Sequence, residues 1–201
     1  MIISKTEVDF TDLIEVGRFA FFVYLDRSGI NFDNNDLVSQ AIHFPRVVFK
    51  GYEPFLQKTD LAKVLKDINK KNSKTQLEIH TKAMVKPTGI TTVKNIIFNV
   101  ELLLKNSDVP YENRIIPNVI KWFIDAGSNF IFKVLNQDDI DELELIINDH
   151  GISKQNVFLA PKDGTEDYYE LMSLIIKQCK RRGYNFTASV DYNILQEVES
   201  N

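Results

Sequence analysis

Apolar residues fall in short unbroken runs, and between the runs they recur at helical spacing. Residues 19–25 (FAFFVYL) are continuously apolar and rich in aromatics, the pattern of a strand buried on both faces. Residues 46–50 (RVVFK) form a second run. Gly51 follows, and then a helix capped by Thr59 with Leu61, Val64, Leu65 and Ile68 on one face. Residues 77–80 (LEIH) and 96–104 (IIFNVELLL) read as the third and fourth strands. Pro117 opens the helix PNVIKWFIDA and Gly127 closes it, the usual asymmetry of Pro at the start and Gly just past the end. Residues 129–135 (NFIFKVL) return as strand, Asp138 and Asp139 start a helix that Gly151 ends, and residues 156–160 (NVFLA) are strand again. Thr165 with Glu166 and Asp167 begins the longest helix, which runs into Lys180, Arg181 and Arg182 before Gly183; residues 186–190 give a last strand.

This alternation predicts an α/β fold with strands paired in parallel through helical crossovers. Periodicity leaves open whether the sheet is flat or curled into a barrel. The chain has no internal repeat and no Pro/Gly/Ser linker, so residues 1–201 are expected to form one domain. The weakest helix signal lies between residues 31 and 45, where a short polar connection is expected between two strands.

Composition narrows the chemistry. Fourteen Phe against one Trp predict a core rich in phenylalanine, and a net charge of −4 carries no electrostatic footprint for nucleic acid. A lone Cys179 with only His43, His80 and His150 cannot supply an iron–sulfur cluster or a closed zinc site. No two of the histidines show metal-ligand spacing. The start of the chain has no basic region followed by an apolar stretch, and no apolar run approaches a membrane span, so a soluble, cytoplasmic protein is expected.

Candidate sites lie where strands end. Gly51, Tyr52, Glu53 and Pro54 follow the RVVFK strand, and loops at strand C-termini are where α/β folds bind ligands. A solvated turn is the plainer alternative. Glu78 and His80 alternate onto one face of the third strand, where a His serves as acid–base or ligand, or simply as a polar strand end. In residues 161–165 (PKDGT) the Gly and the following helix N-terminus suit an anion, but the GxxxxGK[ST] pattern is absent, which excludes a P-loop, and helix capping by Thr165 is the plainer alternative. Lys180, Arg181 and Arg182 suit a solvated helix end, and Cys179 a small buried position.

Taken in order, these segments resemble the radical S-adenosylmethionine enzyme family, and within it the 7-carboxy-7-deazaguanine synthases of the queuosine pathway. The resemblance runs from about residue 15 to residue 195. GRFAFFVYL with Ser28-Gly29 is similar to the family's first barrel strand, VVFKGYEPFLQ to its Gly-Gly-Glu-Pro strand, and LEIHTKA to its Glu-Thr-Asn-Gly strand end. LKNSDVPYENRIIPNVIKWF resembles a stretch typical of the synthases, VFLAPKDGT their Met-Pro-Glu-Gly-Thr loop, and GYNFTASVDYNIL their last strand. The resemblance implies an incomplete (βα)6 barrel of parallel strands with outer helices. It also places ligand-pocket positions at Gly51, Tyr52, Glu53, Pro54, Glu78, His80, Thr81, Glu101, Pro161 and Asn193.

The departures concern chemistry. Ile30, Asn34 and Leu37 or a neighbour stand where the resemblance implies the three cysteines of CxxxCxxC. Tyr52 is inserted into the Gly-Gly-Glu-Pro motif. Glu101 and Leu103 replace a Ser and Lys, and Asp191 and Asn193 replace a late Arg-x-His. The expectation is therefore a catalytically silent relative, without iron–sulfur cluster or bound S-adenosylmethionine, that acts through protein–protein interaction. Because the family forms dimers, the implied partner is a second copy or an active relative. The Asn-, Lys- and Ile-heavy composition fits an AT-rich genome, and a phage origin is compatible with it. Two rivals stand beside this reading. One is an enzyme in which Glu53, Glu78, His80 and Glu101 converge on a hard divalent cation or serve as acid and base, which fails if these groups point apart or are each ion-paired. The other is a binder of a nucleotide or deazaguanine base.

Overall fold

The computed structural model describes residues 1–165 and 167–188. It opens with a strand that no apolar run announces, β1 (Ile2–Phe10), which pairs antiparallel with β2 (Phe19–Leu25). The connection expected to be short and polar instead holds β3 (Ile30–Asn31), paired with Ile2 and Ile3, and helix α1 (Asn34–Ala41). Asp33 caps α1 by accepting from the N–H groups of Asn35 and Asp36, and only Leu37, Val38 and Ala41 of the helix are buried.

From β4 (Arg46–Gly51) onward the expected order holds, with shifted ends. A 3-10 turn (Pro54–Gln57) leads into α2 (Lys58–Lys71), so Thr59 lies inside the helix and does not cap it. Next come β5 (Gln76–Thr81) and β6 (Ile96–Glu101), which stops before Leu104, then the short α3 (Tyr111–Arg114), α4 (Pro117–Asp125) and β7 (Asn129–Val134). Helix α5 (Gln137–His150) is capped by Asn136 and Asp139 acting reciprocally. Strand β8 (Val157–Pro161), α6 (Tyr168–Arg182) and β9 (Asn185–Phe186) complete the described chain. Asp167, not Thr165, occupies the N-cap of α6, and the strand expected over residues 186–190 lies partly outside the described residues.

The described strands form one sheet in the linear order β3-β1-β2-β4-β5-β6-β7-β8-β9, parallel from β2 to β9. The fold is thus α/β with a mostly parallel sheet. One face carries the main core. Phe21, Phe49, Leu77, Ile79, Phe130 and Phe132 from the strands pack with Leu37, Leu65, Phe123, Leu143 and Ile175 from the helices. Phenylalanine dominates as expected: the rings of Phe55, Phe98 and Phe123 lie 5.6–6.4 Å apart.

The opposite face bears no helix among the described residues. Small apolar groups sit at its two ends: Ala20, Phe22 and Val48 at one, and Leu13, Ile14, Ile131 and Ala160 at the other. Between them runs a row of polar and charged side chains. The β1–β2 connection, residues 11–18, folds back over this face.

Candidate functional site

The strand period of two generates the polar row. In β4 the residues Val47 and Phe49 belong to the helix-side core, which turns Arg46 and Val48 to the other face. The same alternation in β5 places Gln76, Glu78 and His80 there, and the parallel registers bring Asn99 of β6 and Asn129 of β7 alongside. Glu78 is the hub. Its carboxylate accepts from Arg46 Nη1 and from Asn99 Nδ2, both at 2.6 Å, and contacts His80 Nε2 at 2.6 Å. Arg46 also donates to Gln76 at 2.7 Å and to the Glu15 carboxylate, and Asn129 donates to Asn99 at 2.9 Å. Glu78, Arg46 and Asn99 are all buried. Burial pushes the Glu78 carboxyl up, but the hydrogen bond and charge of His80 and the Arg46 guanidinium outweigh it and hold the group below the ordinary carboxylate range.

Residues 11–18 close this face. Leu13 and Ile14 are buried against Ile131, Phe158 and Ala160, Glu15 meets Arg46, and Thr187 donates its hydroxyl to the Leu13 carbonyl. The segment holds two non-glycine residues with left-handed backbone, Leu13 at φ 36° and Glu15 at φ 48°. That conformation is costly for L-residues and persists only where the surroundings enforce it. Asp12 lies 3.9 Å from Lys50, whose ammonium stands over the rings of Phe22 and Tyr24. Lys133 lies 3.9 Å from Glu101 and 2.5 Å from Asp163. Burial pushes the Lys133 ammonium down, and these carboxylates raise it by more, so it stays protonated.

Glu53 belongs to a different site. Its carboxylate is buried and accepts the Thr81 hydroxyl at 2.8 and 2.9 Å, and the N–H groups of Phe55, Lys82 and Met84 at 3.2, 3.1 and 3.3 Å. Thr81 shares its side of β5 with Ile79, away from Glu78 and His80. Glu53 therefore ties the end of β4 to the end of β5 and is not a solvated turn residue. Gly51 is required by geometry: at φ 135° an added Cβ would lie 2.0 Å from the Leu25 carbonyl oxygen. Pro54 starts the 3-10 turn. Tyr52 is exposed, its ring 4.7 Å from the Arg27 guanidinium and 5.2 Å from the Lys82 ammonium. Beside it, Ile2, Leu25, Asp26, Arg27, Leu56 and Gln57 line a cleft of about 210 Å³ at the C-terminal ends of β2 and β4.

The candidate residues thus divide. Glu78 and His80 meet on the helix-free face, while Glu101 on the same face is paired with Lys133. Glu53 and Thr81 meet on the other side of β5. The four groups proposed for a hard cation do not converge, and among the described residues no cluster of three or more His, Cys, Asp or Glu is placed to hold a metal ion. Pro161 ends β8 beside Val134, and Asn193 and Asp191 lie outside the described residues. Arg46, Asn99 and Glu15 escaped the reading of motifs. The signal for Asn99 was present, as a single polar residue interrupting the apolar run 96–104.

The stretch that resembles a cluster loop has structural work. Ile30 pairs with Ile3 on β1. Asn34 opens α1, and its side-chain oxygen accepts from the Met1 ammonium at 3.1 Å. Leu37 is fully buried in the core. None carries a thiolate, so these residues do not fit an iron–sulfur cluster. Elsewhere, Cys179 is buried, and desolvation pushes its thiol up to about 11. No helix among the described residues is long and apolar enough to cross a membrane. No protein-family model and no characterised protein sequence matches the chain.

Proposed function

We propose that this chain is a catalytically silent relative of the 7-carboxy-7-deazaguanine synthases, an incomplete radical-S-adenosylmethionine-type barrel that acts by binding a protein partner in the cytoplasm. On this reading the helix-free face is the former barrel interior. One observation carries the proposal: that face is filled by the chain's own residues. Leu13, Ile14 and Glu15 lie on it, and Glu78 is fully engaged by Arg46, Asn99 and His80. The structural roles of Ile30, Asn34 and Leu37 support it, since the loop that would carry a cluster is committed to holding β1 and the core. A pull-down with the tagged full-length chain from its native host, read by mass spectrometry, tests the positive half of the proposal. A stoichiometric protein partner is expected, and recovery of none counts against it.

A second reading is favoured by the cleft beside Tyr52. An exposed ring flanked by Arg27 and Lys82 suits a planar ligand carrying an anionic group, such as a nucleotide. A thermal shift with nucleotides, guanine-like bases and S-adenosylmethionine decides it. A ligand at a hundred times its dissociation constant stabilises the fold by about 2.7 kcal/mol. No shift with any of them removes this reading.

A further inference from the structure

Residues 11–18 form a strap whose attachment to the sheet is separable from the sheet itself. Its neck is closed locally, just past the last β1–β2 pair of Phe10 with Phe19. There the Thr11 N–H donates to the Arg18 carbonyl at 2.8 Å, and the Arg18 N–H to the Thr11 hydroxyl at 3.0 Å. The hold on the face rests on few contacts. Leu13 and Ile14 sit on Ile131, Phe158 and Ala160, the Leu13 carbonyl accepts from Thr187, and Glu15 and Asp12 pair with Arg46 and Lys50. The sheet does not depend on these contacts. When Glu15 leaves, Arg46 keeps Glu78 and Gln76, and Asn99 keeps Glu78, so no buried charge is stranded. The strap, by contrast, is seated at a cost, because Leu13 and Glu15 hold left-handed backbone that L-residues abandon when released. A segment strained in place and joined by few contacts opens ahead of the sheet beneath it.

We infer that residues 11–18 are an autoinhibitory strap, occupying a groove that takes an aliphatic–acidic segment of a protein partner when the strap swings out. This rests on the reading of the chain as a partner-binding protein, and it names the site and the partner's chemistry. The strap itself shows what fits. The floor of Ile131, Phe158 and Ala160 is apolar and lies beneath two adjacent aliphatic side chains. The Arg46 guanidinium, reached by the very next residue, is a fork for one carboxylate. An entering segment therefore brings two aliphatic residues followed by an acidic one, the order of Leu13, Ile14 and Glu15. The strap has the advantage of being tethered beside the groove. A segment that seats the same groups without the left-handed turns carries no such strain, and this is what lets it compete.

Thiol labelling of the full-length A160C variant, with native Cys179 as internal control, tests the opening. Each thiol's rate in the native chain is divided by its rate in urea, site by site, by mass spectrometry. Ala160 lies under the strap and Cys179 in the helix-side core, so the A160C thiol is expected to be protected about tenfold less than Cys179, or less still. E15Q added to A160C speeds the native reaction roughly fivefold and leaves Cys179 unchanged. The fluorescein-labelled peptide TDLIEV, the strap's own residues 11–16, tests the groove and needs no introduced cysteine. Polarisation should show it binding full-length L13S/E15Q, whose strap is weakened, with a dissociation constant on the order of 100 µM. Binding to the wild type, whose strap competes, is weaker by about tenfold or more. Glutamine in place of the peptide's glutamate weakens binding roughly fivefold. Equal protection of the two thiols with no effect of E15Q overturns the inference. So does a peptide that fails to bind L13S/E15Q, or that binds it and the wild type equally. The pull-down reads a host partner and neither of these quantities, so the strap and the silent-scaffold reading can each fail alone.

Discussion

Replacing Arg46 with methionine tests whether the polar row of the helix-free face is held by charge. The guanidinium donates at 2.6 Å to Glu78, whose side chain is only 1% exposed. Methionine keeps the aliphatic stem and removes the charge, leaving a buried carboxylate with only His80 and Asn99. Removing one partner of a buried ion pair costs about 3–5 kcal/mol, and the two surviving contacts place R46M near 3. The pH dependence has a definite sign. Folding lowers the Glu78 carboxyl from its ordinary value near 4.5, so its contribution is present above that value and is lost as pH falls through the folded value, in acid. In R46M, burial acts on Glu78 opposed only by His80 and the Asn99 hydrogen bond, so the carboxyl rises from its native position. The penalty is then largest at neutral pH and shrinks as pH falls and Glu78 takes a proton. Urea unfolding at pH 7.5 and pH 5, with E78Q added to R46M, measures this. The double variant should recover more than half of the loss at pH 7.5. A cost under about 1 kcal/mol, or a cost untouched by pH and by E78Q, refutes the reasoning.

Two further outcomes follow from buried groups elsewhere. E53A leaves the Thr81 hydroxyl and the N–H groups of Phe55, Lys82 and Met84 without their shared acceptor. It should cost about 2–4 kcal/mol and raise amide exchange at residues 82–84 before the rest of the sheet. Equal exchange across all strands would assign Glu53 no local role. Cys179, with its thiol pushed up to about 11, should react with a disulfide reagent at pH 8 far more slowly in the native chain than in urea. Equal rates would show the thiol is not sequestered.

The elements legible in the sequence are those whose burial is two-sided or whose apolar stripe is wide. β2, β4, β7 and β8 carry unbroken apolar runs because helices cover one face and the chain's own loop or neighbouring side chains cover the other, while β5 alternates Leu77 and Ile79 with Glu78 and His80. β1 offered only a weak signal: Lys5, Glu7 and Asp9 alternate with Thr6, Val8 and Phe10 at the period of a half-buried strand, but Val8 and Phe10 are the only apolar residues in that stretch. α1 was hidden because three buried residues in eight leave little helical period to detect. Glu53, Glu78 and His80 were legible as polar residues at strand ends, and Thr81 only through the resemblance. Which of them pair was not legible, because Glu53 and Thr81 are 28 residues apart and Arg46 and Glu78 are 32 apart. Only the parallel register fixes which meet. The covering of the helix-free face by residues 11–18 had no local signal at all, since Leu13 and Ile14 are two apolar residues in a polar loop until the sheet brings Ile131 and Ala160 beneath them.

The proposal that the scaffold is catalytically silent is tested most directly by anaerobic iron–sulfide reconstitution followed by incubation with S-adenosylmethionine and a reductant. The account predicts no stoichiometric [4Fe–4S] absorbance and no radical cleavage of S-adenosylmethionine, because Ile30, Asn34 and Leu37 supply no thiolate. A stoichiometric cluster together with cleavage would contradict it.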